Sequence, residues 1–177
     1  MAYYEELEKI QNSVIATLLE NQDICKLLYY YPEEVNLRYD PLAQPDIDNP
    51  NQLLLTQVFP VPKTPDVELD QTCLLAVWLK GGDTMFDNKG YRKVIVVIDI
   101  ICHLDCWIIK NGFRPMRLLN KIDETFNYKN FKGINVINKI ESLPFRAKEY
   151  STKFYGYQIS YEFQLPSWIG CNNNGVQ

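Results

Sequence analysis

The sequence predicts an α+β fold: a mainly antiparallel twisted sheet with packed helices and a long projecting strand or hairpin. Three observations carry that reading. Residues 94–109 and 154–165 alternate their side chains with period two over unusually long runs. Residues 3–20 and 115–128 carry apolar stripes at helical spacing. The composition is globular, 46% hydrophobic and 13% aromatic with twelve tyrosines, which suits strands and interfaces. A chain of 177 residues is expected to form one domain, here 1–170. It carries an extended Pro-rich arm at 32–51 and a flexible tail at 171–177.

In chain order, Leu7, Ile10, Val14 and Leu18 mark one face of the first helix, with acids crowding its first turn, where they suit the helix dipole. Residues 21–23 read as a break, with Asp23 capping a short second helix that Pro32 closes. Of the three adjacent tyrosines 29–31, at least one should be exposed. The segment 32–51 holds four prolines and little apolar periodicity, so an extended arm or ordered long loop is expected. Strands are expected at 52–61 and 70–80, a turn at Gly81-Gly82-Asp83, and another at residues 88–90.

The run 94–109 is the longest strand expected, roughly 50 Å at about 3.3 Å per residue. Its even row (Val94, Val96, Ile98, Ile100, Cys102, Leu104, Cys106, Ile108) is all apolar and reads as core. The odd row mixes Asp99, His103, Asp105 and Trp107 with aliphatics, and reads as a half-wet or partner-facing side. A helix follows, with Pro115 in its first turn and a stripe of Met116, Leu118, Leu119, Ile122 and Phe126. Strands at 134–141 and 154–165 complete the sheet.

Cys102, His103, Asp105 and Cys106 are the tempting metal cluster. On a strand, however, Cys102 and Cys106 lie roughly 13 Å apart, against zinc–sulfur bonds of about 2.3 Å, while His103 and Asp105 point the other way. No metal and no cofactor are expected. A His103–Asp105 acid–base pair is geometrically possible, so a small hydrolase or metal-dependent enzyme is the alternative reading. It lacks a nearby nucleophile and a second histidine. The five cysteines form no CxxC pair and are expected as buried, reduced thiols. Residues 1–8 are too acidic for a signal peptide, and 94–109 is too short and too charged to cross a membrane as a helix. A soluble protein with no membrane partner is expected.

Charge is divided along the chain. Residues 1–70 hold thirteen acids against four bases, a net of −9, and residues 71–177 hold nine against fourteen, a net of +5. One protomer's acidic part can therefore face the next one's basic part. Buried charge without a partner is costly, so Asp99, His103 and Asp105 should meet water, a polar channel or partner cations. Trp107 and Trp168 are candidate interface anchors. With them the candidate interface comprises Tyr30, Tyr31, Tyr39, Pro41, Pro45, Asp99, His103 and Asp105. A non-ring adaptor that binds one protein partner is the remaining alternative.

The order of elements (amphipathic helix, Pro-rich segment, strands, the long strand with its central VIDII, the RPMRLLNKIDETFN helix, then a strand pair) resembles the tail terminator and related neck, or head–tail connector, proteins of tailed bacteriophages, including crAss-like phages. The resemblance implies a structural virion protein of the neck or tail, assembled in the host cytoplasm and not an enzyme. It implies a cyclic ring on the order of six or twelve copies, stacked on adjacent neck, tail or portal-side rings. DNA would pass through the lumen without sequence-specific binding. The 32–51 arm and the long strand exceed what a minimal terminator needs.

Overall fold

The computed structural model describes residues 3–32, 38–65, 72–84, 91–126, 130–131, 134–139 and 146–166. Helix α1 (Tyr3–Glu20) buries Ile10, Val14 and Leu18 along one stripe, with Ile15 and Leu19 beside it. Asn21 interrupts it, and its side-chain oxygen accepts from the backbone N–H groups of Asp23 (3.1 Å) and Ile24 (3.3 Å). Asn21 is thus the N-cap of α2 (Gln22–Tyr29), a role the sequence assigned to Asp23. Asp23 instead sits in the first turn, where its charge suits the dipole, and pairs with Lys121 at 3.0 Å.

The strands are β1 (Val58–Phe59), β2 (Cys73–Thr84), β3 (Tyr91–His103), β4 (Ile108–Ile109), β5 (Gly112–Phe113), β6 (Asn130–Phe131), β7 (Ile134–Lys139), β8 (Arg146–Glu149) and β9 (Phe154–Pro166). Seven form one sheet in the order β1-β2-β3-β9-β7-β6, with β8 also pairing β9. All pairings are antiparallel except β1 with β2. The architecture is therefore α+β with a mainly antiparallel sheet. β4 and β5 form a separate small hairpin.

The even row of β3 behaves as expected up to Cys102. Val94, Val96, Ile98, Ile100 and Cys102 are buried with Ile159, Tyr161 and Phe163 of β9 in the main core. The register places Val94 opposite Phe163, Val96 opposite Tyr161 and Ile98 opposite Ile159. Helix α3 (Arg114–Phe126) covers this face with Leu118, Leu119, Ile122 and Phe126, beside α1 and α2. Gly156 faces Ile101 across the β3–β9 ladder, and a Cβ there would lie 1.7 Å from the Ile100 carbonyl oxygen, so only glycine fits.

Several expectations are corrected. The expected turn at Gly81-Gly82-Asp83 is strand: β2 runs on to Thr84, with a bulge between Leu79 and Gly81. Gly81 absorbs the bulge at φ +138°, a backbone conformation side chains rarely adopt. The strand expected over 52–61 shrinks to Val58–Phe59, because Pro50 opens a 3-10 turn, Pro50–Leu53. Of the 32–51 segment, residues 33–37 lie outside the described residues, and 38–51 take the ordered-loop form. Asp40 caps a second 3-10 turn, Pro41–Ala43, while Pro41 and Ile47 are buried. Gln22 holds Ile47 through both backbone groups, at 2.9 and 3.2 Å, and Lys26 pairs with Asp46 at 2.6 Å, so this stretch lies against its own α2. Cys73 and Cys102 face each other across β2 and β3 and form a disulfide, contrary to the expected free thiols. Cys25 and Cys106 are free and buried, and burial pushes each thiol up to about 11. The expected turn at 88–90, Cys171, Trp168 and the tail at 171–177 lie outside the described residues.

Candidate interface groove

The expected strand 94–109 stops at His103, and the reason is local. The His103 Nδ1 accepts from the Asp105 backbone N–H (3.2 Å), capping a 3-10 turn, Leu104–Cys106. A side chain that competes for backbone donors in this way ends regular structure. Spacing then changes from two to three: Cys106 and Ile109 are buried, while Leu104 is 49% and Ile108 48% exposed. Both leucine and isoleucine belonged to the row read as core. The cap turns them outward, onto a corner followed by the β4–β5 hairpin, whose Phe113 is also exposed. Asn111, at φ 63°, makes the tight turn of that hairpin.

The corner forms one wall of an open, mostly apolar groove of about 490 Å³. Leu104 and Trp107 line it on one side, and Tyr155 and Tyr157 of β9 with Ala147 and Lys148 of β8 on the other. The Trp107 and Tyr157 rings meet at 6.2 Å. Leu104 N–H donates to the Lys153 carbonyl (3.0 Å), tying the corner to the β8–β9 turn.

Two buried charges hold the walls. Arg114, fully buried, donates from Nε to the Cys106 carbonyl (2.9 Å) and from Nη1 to the carbonyls of Leu27 (2.5 Å) and Tyr30 (3.0 Å). Its guanidinium lies 4.7 Å from the Tyr31 ring centroid. A cation at the first position of α3 runs against its own helix dipole. Here it serves the C-terminal end of α2, where positive charge is favourable. That mismatch was the sequence clue to Arg114, and it was missed.

Asp99 is only 2% exposed. It accepts from Trp78 Nε1 (2.9 Å), Tyr150 Oη (2.7 Å) and Gln158 Nε2 (2.7 Å), with Lys148 Nζ at 3.6 Å. Asp99, expected to meet water, a polar channel or partner cations, is therefore satisfied within its own chain, by neutral donors from β2 and the β8–β9 hairpin and by one cation, Lys148. Burial first, and the Asp99 charge second, push the Tyr150 phenol far above its usual range.

The other predicted residues scatter. Trp107 alone lines the groove. His103 is buried edge-on against Phe154, with ring centroids 5.0 Å apart, and Asp105 is exposed beside it. Tyr31 is a latch: its hydroxyl accepts from Cys73 N–H (2.8 Å) and Gln57 Nε2 (3.3 Å), and burial pushes the phenol up to about 12. Tyr39 is half-buried, and its carbonyl accepts from Lys110 N–H (2.8 Å). Pro41 is buried, whereas Tyr30 and Pro45 line a more polar pocket with Asp46 and Asp48. The sequence reading missed Leu104, Tyr155 and Tyr157 as groove residues, having placed Leu104 in the core row of the long strand.

A family model, YomW, matches residues 21–163, most of the chain. The chain belongs to the YomW family. That family takes its name from a protein of an SPbeta-like prophage, which makes this a phage-related protein. The YomW match includes both walls of the groove, Arg114 and Asp99, and begins just after α1. No curated protein and no solved structure matches the chain. No helix among the described residues is long and apolar enough to cross a membrane.

Proposed function

We propose that this YomW-family chain is a structural virion protein that assembles as a ring in the neck or tail of a tailed phage, as a tail terminator or head–tail connector. One observation carries the reading: the described residues form an open apolar, aromatic groove whose walls are fixed by buried charges rather than equipped with reactive groups. Such a surface suits a protein partner, where aromatic anchors dominate binding. The −9/+5 division of charge supports contacts between unlike faces, which a closed ring requires. A chain of net charge −4 also suits a lumen through which DNA slides, since dense Lys/Arg contacts to phosphate would hold the duplex. The single histidine works as a turn cap and packs against Phe154, which favours assembly over His103–Asp105 catalysis.

Light scattering of the purified protein, with negative-stain imaging of the protein and of virions, tests the proposal. Closed rings, or incorporation into a neck or tail stack, are expected. A strictly monomeric protein at high concentration, absent from virions, overturns the ring in favour of an adaptor or enzyme.

A further inference from the structure

The turn between the Pro50–Leu53 3-10 helix and β1 combines exposed apolar side chains with a left-handed backbone at a leucine. Leu54 is 41% exposed and Leu55 64% exposed, and Leu55 sits at φ 63°. That region suits glycine or asparagine and is uncommon for leucine. The turn is firmly built, with Leu55 N–H donating to the Val58 carbonyl (2.8 Å) and Gln57 N–H to the Leu53 carbonyl (2.8 Å). Two leucines are thus held outward by a hydrogen-bonded turn.

Sheet topology places this turn beside β1, at one edge of the sheet. The groove lies towards the other edge, where β8 pairs β9 and all four β8 side chains are exposed. The surroundings of the two features are opposite in charge. No Lys or Arg occurs between Arg38 and Lys63; Asp48 is exposed, and the exposed Asp46 is paired with Lys26 of α2 at 2.6 Å. Asp46 and Asp48 line a pocket with Tyr29 and Gln52, and those last two residues also line the pocket that adjoins Leu53 and Thr56. On the groove side, the β8–β9 hairpin exposes Arg146, Lys148 and Lys153 against one acid, Glu149, and Lys148 also lies 3.6 Å from the buried Asp99.

We infer that the Leu54–Leu55 turn is a knob that seats in the Leu104–Trp107–Tyr157 groove of a second copy of this chain, its acidic flank against that copy's basic β8–β9 hairpin. Because knob and groove lie on opposite sheet edges, the contact is heterologous and each copy offers one of each, the geometry that generates rings or filaments. The inference rests on the assembly reading above and names the surfaces that would carry it.

The test uses Leu55→Asn, which removes the apolar knob but tolerates the turn, and Leu104→Ser, which thins one groove wall. Each should keep a melting temperature close to wild type, Leu55→Asn the same or higher, while assembly by light scattering weakens roughly tenfold or more in dissociation concentration. Mixing the two variants should give a 1:1 dimer that grows no further, since one copy keeps its groove and the other its knob. Asp48→Lys and Arg146→Glu should each weaken assembly, and combining them should restore it. If wild type assembles and these variants assemble equally well, the knob-in-groove contact is wrong and the ring uses other surfaces. If wild type itself stays monomeric, the assembly reading fails and this inference with it.

Discussion

Arg114 carries a full positive charge into the interior with three carbonyl acceptors, and among the described residues no carboxylate pairs with it and its Nη2 has no hydrogen-bond partner. Replacing it with Met keeps the bulk but strands the Leu27, Tyr30 and Cys106 carbonyls. Charge-assisted bonds of this kind are each worth about 1.5–3 kcal/mol, and leaving buried acceptors unpaired adds to the loss. Removing the buried charge returns part of its desolvation cost, so Arg114→Met should cost a net of about 3–5 kcal/mol in a urea melt, comparable to Ile122→Ala, which opens a core cavity for about 2–5 kcal/mol. A loss under about 1 kcal/mol would mean that the guanidinium is dispensable. Asp123, on the wet side of the α3 stripe, reads from sequence as a neutral site. In the fold it accepts from the Tyr161 hydroxyl at 3.2 Å, so Asp123→Ala should cost about 1 kcal/mol.

Buried acids of the tyrosine and thiol type also set an alkaline limit. Burial raises Cys25 and Cys106 from 9.0 to about 11 and Tyr31 from 10.0 to about 12. Tyr150 and Tyr161 move in the same direction, by burial first and by Asp99 and Asp123 respectively. Each folded-state value is raised, so between the unfolded and folded values the folded state holds protons that the unfolded state has lost. Stability is then fully present below pH 9 and falls as pH rises from 9 through about 12. Urea midpoints measured from pH 8 to 11 should drop progressively above pH 9; a flat profile would contradict the burial of these groups.

Among the elements, those with long, unbroken periodicity were legible. α1, α3, β9 and β3 as far as His103 lie close to where the pattern puts them. The misses share a cause: a few atoms of local chemistry outweighed periodicity. The His103 side chain capped a turn and ended the long strand. Gly81 allowed a bulge where two glycines read as a turn. Pro50 made a 3-10 turn where a strand seemed to begin. The groove was invisible for the same reason, since it exists only because the cap rotates Leu104 out of the core row. His103→Ala should cost about 1 kcal/mol, as lost caps do, and should raise the accessibility of Trp107 to an aqueous quencher. Unchanged quenching would show that the corner holds its shape without the cap. The Pro-rich segment reads from sequence as an arm, and its burial of Pro41 and Ile47 against α2 makes it part of the subunit. Deleting residues 41–50 should lower the stability of the isolated subunit as well as any assembly.

At the scale of the whole molecule, the sheet is covered by helices on one face, and α1 is the longest of the three α-helices described. The YomW match starts at residue 21 and so leaves α1 outside, which raises the question of whether α1 is an accessory or a structural necessity. Its buried side chains decide it: Ile10, Val14, Ile15, Leu18 and Leu19 all join the main core, beside β2 and α2. Burying a side chain of this size contributes about 1.5–3 kcal/mol, so removing five forfeits roughly 7–15 kcal/mol. That is comparable to the entire stability of an ordinary domain, about 5–15 kcal/mol. The loss would also bare the β2 face around Val77, to whose carbonyl Gln11 donates, an apolar surface prone to association. A chain beginning at Asn21 should therefore show no cooperative thermal transition and should aggregate on expression. Supplying residues 1–20 as a separate peptide should recover part of the transition, because the stripe that docks is intact. A chain from Asn21 that melts cooperatively within a few degrees of the full-length protein would mean that the family-matched region folds alone and that α1 is an addition to it.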